Sequence, residues 1–236
     1  MPPKAKSQER ENVHNFVGLD ESVKLTPVDP ESEEFKNISH YFKSTQGATH
    51  NINAELLDIL RIETSSNEPY PSPQGERVLM WHGTKRANLT SILNHGLMVN
   101  PPGNVQKTGQ MFGKGVYFAD SFSKSANYSM KVDNAGTAYV FLAEVCLGKM
   151  FPLFESVSQG VIDLLITSGY HSVKGCGANT APKHSHIHNG QHKIPAGKLE
   201  NNTFMQSGLL YNEYIVYDDK RIKLKYLVYI KDQRNA

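Results

Sequence analysis

Leu79-Met80-Trp81-His82-Gly83-Thr84 is the stretch on which the fold turns. Val78 to Trp81 reads as a buried strand, an apolar run too short to be a separate helix. His82 and Gly83 follow at its end, where the missing side chain of glycine lets the backbone approach a flat ligand closely. Just downstream, Leu89, Ile92 and Leu93 form one face of a short helix that Gly96 can close with a left-handed cap. From Pro101 to Gly113 the chain is rich in proline and glycine without any period, a loop long enough to suggest a functional role. Ser123 to Met130 reads as a second short helix, and Tyr139 to Leu147 as a strongly apolar strand. Residues 152–208 are mixed, with a polar, His-rich loop between about Gly175 and Lys198. Tyr214 to Tyr217 is a strand; Arg221, Lys223 and Lys225 then alternate with Ile222, Leu224 and Tyr226, a period of two that puts cations on one face. Upstream, Asp29-Pro30-Glu31 predicts a helix start, with Asp29 as cap and Pro30 in the first position. Phe35, Ile38, Ser39 and Phe42 share its face. Many strands with few, short helices predict an α+β domain built on antiparallel sheets.

Residues 1–20, charged and aperiodic, read as a disordered leader, leaving 21–236 as one domain. Hydrophobic content of 39% and charged content of 20% are those of an ordinary globular chain. The net charge is only +2, and Lys4, Lys6 and Arg10 against Glu9 supply it all, so the body sums to zero. Phosphate backbones are bound through many cations, so direct DNA binding by the folded part is not expected. Cys146 and Cys176 form neither a CxxC pair nor a disulfide framework, which suits a reducing intracellular compartment. The first 25 residues lack the apolar core of a secretory signal, and Glu144 interrupts the longest apolar run, so no membrane partner is expected. His184, His186 and His188 alternate near His171 and His192, yet no cysteine or acid is placed to complete a metal site, and none is predicted. Neither a GxGxxG turn nor a GxxxxGK[ST] loop is present, so nothing signals a recycled dinucleotide cofactor or P-loop nucleotide binding.

Three further stretches complete a set with the opening one: Gly113-Lys114-Gly115-Val116-Tyr117-Phe118-Ala119-Asp120, Lys124-Ser125-Ala126-Asn127-Tyr128, and Tyr211-Asn212-Glu213-Tyr214-Ile215-Val216-Tyr217-Asp218. In this order they resemble the catalytic domain of the poly(ADP-ribose) polymerases, in particular the DNA-damage-responsive, polymer-forming branch. The similarity runs from about Leu25 to about Lys231. It implies the ADP-ribosyltransferase fold, two antiparallel β-sheets with short flanking helices, and NAD+ as a consumed substrate with no separate cofactor. Nicotinamide would leave and ADP-ribose would pass to protein acceptors, the chain itself included. About 24 residues precede the similarity, too few for the helical regulatory domain, zinc fingers or WGR module of that branch. The sequence therefore predicts activity without DNA. The compartment expected is nuclear or cytoplasmic, the nucleus preferred.

The transition state for breaking the nicotinamide–ribose bond resembles an oxocarbenium ion, which needs a nearby carboxylate, partners for the ribose hydroxyls and a slot for the leaving ring. Glu213, an acid opening a strand within an apolar segment, suits the first need; its alternative is a strand-edge acid facing water. By resemblance it binds the 2′-hydroxyl of the nicotinamide ribose and activates the terminal ribose of a growing chain. The resemblance makes His82, Tyr117 and Glu213 the catalytic triad, with Lys124 positioning the acceptor. His82 would meet ribose hydroxyls through a ring nitrogen whose role depends on tautomer. Gly83 would hold the nicotinamide carboxamide through its amide and carbonyl. Tyr117 and Tyr128 offer flat faces to the ring, and Ser125, three residues before Tyr128 on the same helical side, a hydroxyl to the carboxamide. Thr84 and Asn88 match positions contacting the riboses and adenosine half, and Phe118 and Ala119 belong to the NAD+-binding set. Pro101–Gly113 matches the loop that closes over the ligand. Gln110 stands where relatives carry a tyrosine, and Met98 where an arginine is expected, both on the adenosine side. Rival readings are single ADP-ribose transfer without elongation, a catalytically silent NAD+ or ADP-ribose binding module, and a DNA-binding scaffold.

Overall fold

The computed structural model describes residues 16–47, 52–64, 75–102, 111–129, 136–190, 192–202 and 207–233. Its centre is β5 (Thr137–Cys146), buried at every position, as its near-continuous apolar sequence requires. β13 (Ile222–Asp232) pairs antiparallel with one edge of β5, and β3 (Arg77–His82) with the other. Beyond β13 lie β2 (Ala54–Thr64) and β1 (Val23–Pro27), both antiparallel. Beyond β3 come two short strands, β10 (Lys193–Ile194) and β9 (Ile187–His188), completing seven strands. A second sheet runs β4 (Val116–Phe118), β12 (Glu213–Val216), β7 (Ser172–Gly175), β6 (Met150–Leu153). β8 (Asn179–Thr180) and β11 (Glu200–Asn201) form a small separate pair. Among the described residues four α-helices flank them: α1 (Glu33–Ser44), α2 (Leu89–His95), α3 (Phe122–Ser129) and α4 (Gln159–Thr167). The architecture is α+β, as expected.

Several expectations need correction. The sheets are mixed rather than purely antiparallel, because β10 runs parallel to β3 and β6 parallel to β7. α1 is capped by Ser32, whose Oγ accepts from the Phe35 amide at 3.2 Å. Asp29 instead accepts from the Glu31 amide and builds the preceding turn. Of the expected α1 face, Ile38 and Phe42 are buried, joined by Tyr41, and Phe35 packs beside them. Arg221 lies in a single turn before β13 with its guanidinium buried beside the Cys146 carbonyl, and a bulge between Leu224 and Tyr226 breaks the period of two. Within the stretch expected as a leader, Phe16 packs edge-on against Tyr139, and Asn94 on α2 bonds the Gly18 carbonyl and the Asp20 amide, so residues 16–20 lie against the domain. Residues 1–15 lie outside the described residues.

The two large sheets pack face to face through Val78, Met80, Val116, Phe118, Tyr214 and Val216, and an isolated bridge joins them at one end. Trp81 and Ala119 exchange backbone hydrogen bonds of 2.9 and 3.0 Å, so the end of β3 is sewn to the end of β4. Trp81 is fully buried there against Tyr41, Phe42 and Phe122. Truncating such an aromatic costs about 3–5 kcal/mol, so the seam is a rigid place on which to build a site. No helix of the described residues is long and apolar enough to cross a membrane.

Candidate active site

A cleft of about 320 Å³ opens at this seam. His82, Gly83, Thr84, Asn88, Tyr117, Phe118, Ala119, Lys124, Ser125, Tyr128 and Glu213, all singled out in the sequence, line it. Met98, Pro101 and Pro102 line it too, so the residue expected on the adenosine side and the first residues of the Pro101–Gly113 loop border the cleft. Gln110 lies outside the described residues. Ser91, Ile92, His95, Gly96 and Leu97 on or after α2 are further lining residues that the motifs did not indicate, while Gly115 and Val116, quoted within a motif, line it without an assigned role.

His82 is the last residue of β3, and its Nδ1 lies 2.8 Å from the Tyr117 carbonyl. A carbonyl can only accept, so Nδ1 carries the proton and Nε2 presents a lone pair. Burial holds the imidazole below its ordinary pKa, opposed in part by that hydrogen bond, so the ring is neutral near pH 7. The tautomer left open by sequence is thus set by the next sheet.

Gly83 serves a closer approach than expected. A side-chain carbon there would sit 1.7 Å from the Ser125 carbonyl oxygen, so the glycine admits the backbone of α3 itself. The adjacent Thr84 amide donates to Ser129 Oγ at 3.1 Å, and Asn88 bonds Thr84 Oγ1 at 3.0 Å. The β3 end, α2 and α3 are thereby locked around one mouth. Ser129 is a supporting residue that sequence did not flag, since its partner is 45 residues away.

Tyr117 is pinned at its far end, donating to the Gly113 carbonyl at 2.8 Å and accepting from the Phe112 amide at 3.0 Å. Burial pushes its phenol up to about 12, so it stays neutral. Tyr128 lines the cleft and is 42% exposed.

Glu213 is 7% exposed. β12 pairs Tyr214 with Phe118 and Ile215 with Tyr117, so alternation puts Glu213 on the Tyr117 face, diagonally opposite it. Lys124 Nζ stands 2.6 Å from Oε1. Oε2 is buried and has no hydrogen-bond partner among the described residues. Leaving a buried acceptor unmade costs about 1–3 kcal/mol, more when charged, so this oxygen is poised to accept a hydrogen bond. Among the described residues no group of three or more His, Cys, Asp or Glu could hold a metal ion. His192 is buried in the sheet with Nδ1 3.0 Å from Glu144 Oε2, a structural pair away from the cleft.

A cleft at the junction of two mixed sheets, with an acid, a neutral imidazole and two phenols inside, is that of an ADP-ribosyltransferase fold. The chain belongs to the poly(ADP-ribose) polymerase catalytic domain family, whose description matches residues 32–232. It is 38% identical over 216 residues to poly(ADP-ribose) polymerase 2 of Homo sapiens, covering 88% of this chain and 36% of that protein. It is 39% identical over 213 residues to poly(ADP-ribose) polymerase 1 of Danio rerio, covering 89% and 20%. Against the poly(ADP-ribose) polymerase of Drosophila melanogaster the identity is 38% over 211 residues, 87% and 21%. The chain therefore spans from a fifth to just over a third of the length of these relatives.

Proposed function

We propose that the chain is an NAD+-dependent protein ADP-ribosyltransferase that elongates poly(ADP-ribose), consuming NAD+ as substrate and using no separate cofactor. The single observation that carries the reading is the buried Glu213 Oε2, which has no hydrogen-bond partner among the described residues, in a side chain that lines a cleft of about 320 Å³. A ribose 2′-hydroxyl donating to that oxygen satisfies it and sets a negative charge beside C1′, where positive charge develops as the bond to nicotinamide breaks. Each such preorganised partner is typically worth roughly 3–4 kcal/mol. The bonding pair leaves with nicotinamide; the acceptor hydroxyl or carboxylate forms the new bond to C1′. A hydroxyl proton passes to Glu213 and on to solvent.

The other lining groups fit around this centre. Tyr117, held by two hydrogen bonds, and Tyr128 present ring faces for the pyridine. Ser125 and the Gly83 backbone, in contact at the α3 crossing, offer polar groups for the carboxamide. His82 Nε2 accepts from a ribose hydroxyl. Lys124 fixes one carboxylate oxygen of Glu213, leaving the other for substrate, and in this reading it positions the acceptor. Thr84, Asn88, Phe118 and Ala119 complete the NAD+ walls. Protein acceptors include the chain itself. The two buried cysteines, neither in a disulfide, accord with an intracellular setting, nuclear or cytoplasmic with the nucleus preferred, and the neutral body with no direct DNA contact.

Incubation of the chain with NAD+ labelled in the adenylate tests this. Free nicotinamide together with a ladder of labelled protein is expected. One discrete labelled band would limit the chain to single transfer, and no nicotinamide release would make it a binding module.

A further inference from the structure

We propose that Asp120 is a positioning residue for Glu213, acting through the two residues that flank it. This rests on the assignment of Glu213 made above. Asp120 is 3% exposed, in the turn between β4, which carries Tyr117, and α3, which carries Lys124, Ser125 and Tyr128. Its Oδ2 accepts from Asn212 Nδ2 at 2.7 Å and from the Tyr214 hydroxyl at 3.0 Å.

Strand alternation makes this pairing specific. Side chains at 212 and 214 point to one side of the strand and 213 to the other. A single oxygen that grips both neighbours fixes the rotation of this short segment about its own axis, and so the direction in which the Glu213 carboxyl points. The same oxygen belongs to the turn that launches α3, so it also sets the offset between Glu213 and Lys124, which meet at 2.6 Å. Its Oδ1 has no partner among the described residues. A buried carboxylate with one unmet oxygen is a costly way to make a turn, and its gain lies in the tether.

The fold does not hang on this tether alone. Asn212 also bonds Thr180 Oγ1 at 3.1 Å and takes the Gly177 amide at 2.9 Å, while β12 keeps its pairing to β4 and β7. Cutting the tether therefore loosens Glu213 more than it disrupts the sheet. A misplacement of about 1 Å in such a site can cost on the order of 100-fold in rate.

Steady-state nicotinamide release against NAD+ concentration tests the proposal. Asp120→Ala should lower kcat about 30- to 100-fold with KM within about threefold. Asp120→Asn keeps a carbonyl oxygen that can accept both bonds, and should stay within about fivefold of the unaltered chain. Tyr214→Phe, which removes one bond and keeps the ring, should lower kcat roughly 5- to 10-fold, and carries the test if Asp120→Ala fails to fold. Added to Glu213→Gln, Asp120→Ala should lower kcat no further, because it works through that carboxyl. An unchanged kcat in Asp120→Ala or Tyr214→Phe, equal damage from Asn and Ala, or additive losses in the double variant would each overturn the inference. Failure of the unaltered chain to release nicotinamide would instead overturn the reading of Glu213, and the inference with it.

Discussion

Gly83→Ala probes the seam on which the cleft is built. The added carbon would lie 1.7 Å from the Ser125 carbonyl oxygen, 2.7 Å from its carbon and 3.2 Å from Ser129 Oγ. Unstrained contacts of this kind begin near about 3.5 Å, so the β3 end and α3 must part by over about 1.5 Å. The obstacle is backbone, which cannot swing aside as a side-chain tip can. Overpacking of this sort costs about 1–3 kcal/mol, which for a domain of this size lowers Tm by roughly 2–12 °C. The same movement pulls Ser125 and Tyr128 from His82 and breaks the Thr84–Ser129 bond, so nicotinamide release should fall by about 100-fold. Thermal melts and nicotinamide release at limiting and saturating NAD+ check both effects. A variant melting with the unaltered chain and releasing nicotinamide at full rate would refute the steric account of Gly83 and the packing of α3 on β3.

The pH response of His82 has a defined sign. Its folded pKa lies below the ordinary value of about 6.5, so as pH falls through that value the unfolded chain takes up the proton first and stability is lost. At lower pH still, protonation of Nε2 removes its acceptor, and kcat/KM should show an acid limb below about 6.5; a limb above that pH, or a flat profile down to strong acid, would contradict the neutral tautomer. Ser32→Ala removes the cap of α1 and should cost about 0.5–2 kcal/mol by denaturant titration, while Asp29→Ala should cost less; the reverse order would show that Asp29 is the true cap.

What sequence made legible was local, ordered and chemically distinctive. The strand ending in His82, the short helix with Ser125 and Tyr128, and the acid of β12 each carried their own pattern, and the cleft gathers them all. The partners that set their behaviour were not legible, because hydrogen bonds such as His82 to Tyr117 and Asn212 to Asp120 span 35 and 92 residues. Periodicity reads burial, not partners. The parallel pairing of β10 on β3 was likewise hidden, since two residues in a His-rich loop carry no strand period. At α1 the local signal misled: Asp29 and Pro30 spell a helix start, but Ser32 stands closer to the first buried turn and wins the cap. In sequence Gly83 reads as room for a ligand, whereas its nearest neighbour is the backbone of α3.

The most direct trial of the account is the length of labelled polymer made from NAD+ by the chain with Glu213→Gln, a change that keeps the shape and removes the charge. The account predicts loss of the ladder, with weak single transfer or NAD+ hydrolysis remaining. Polymer of undiminished length from that variant would contradict it.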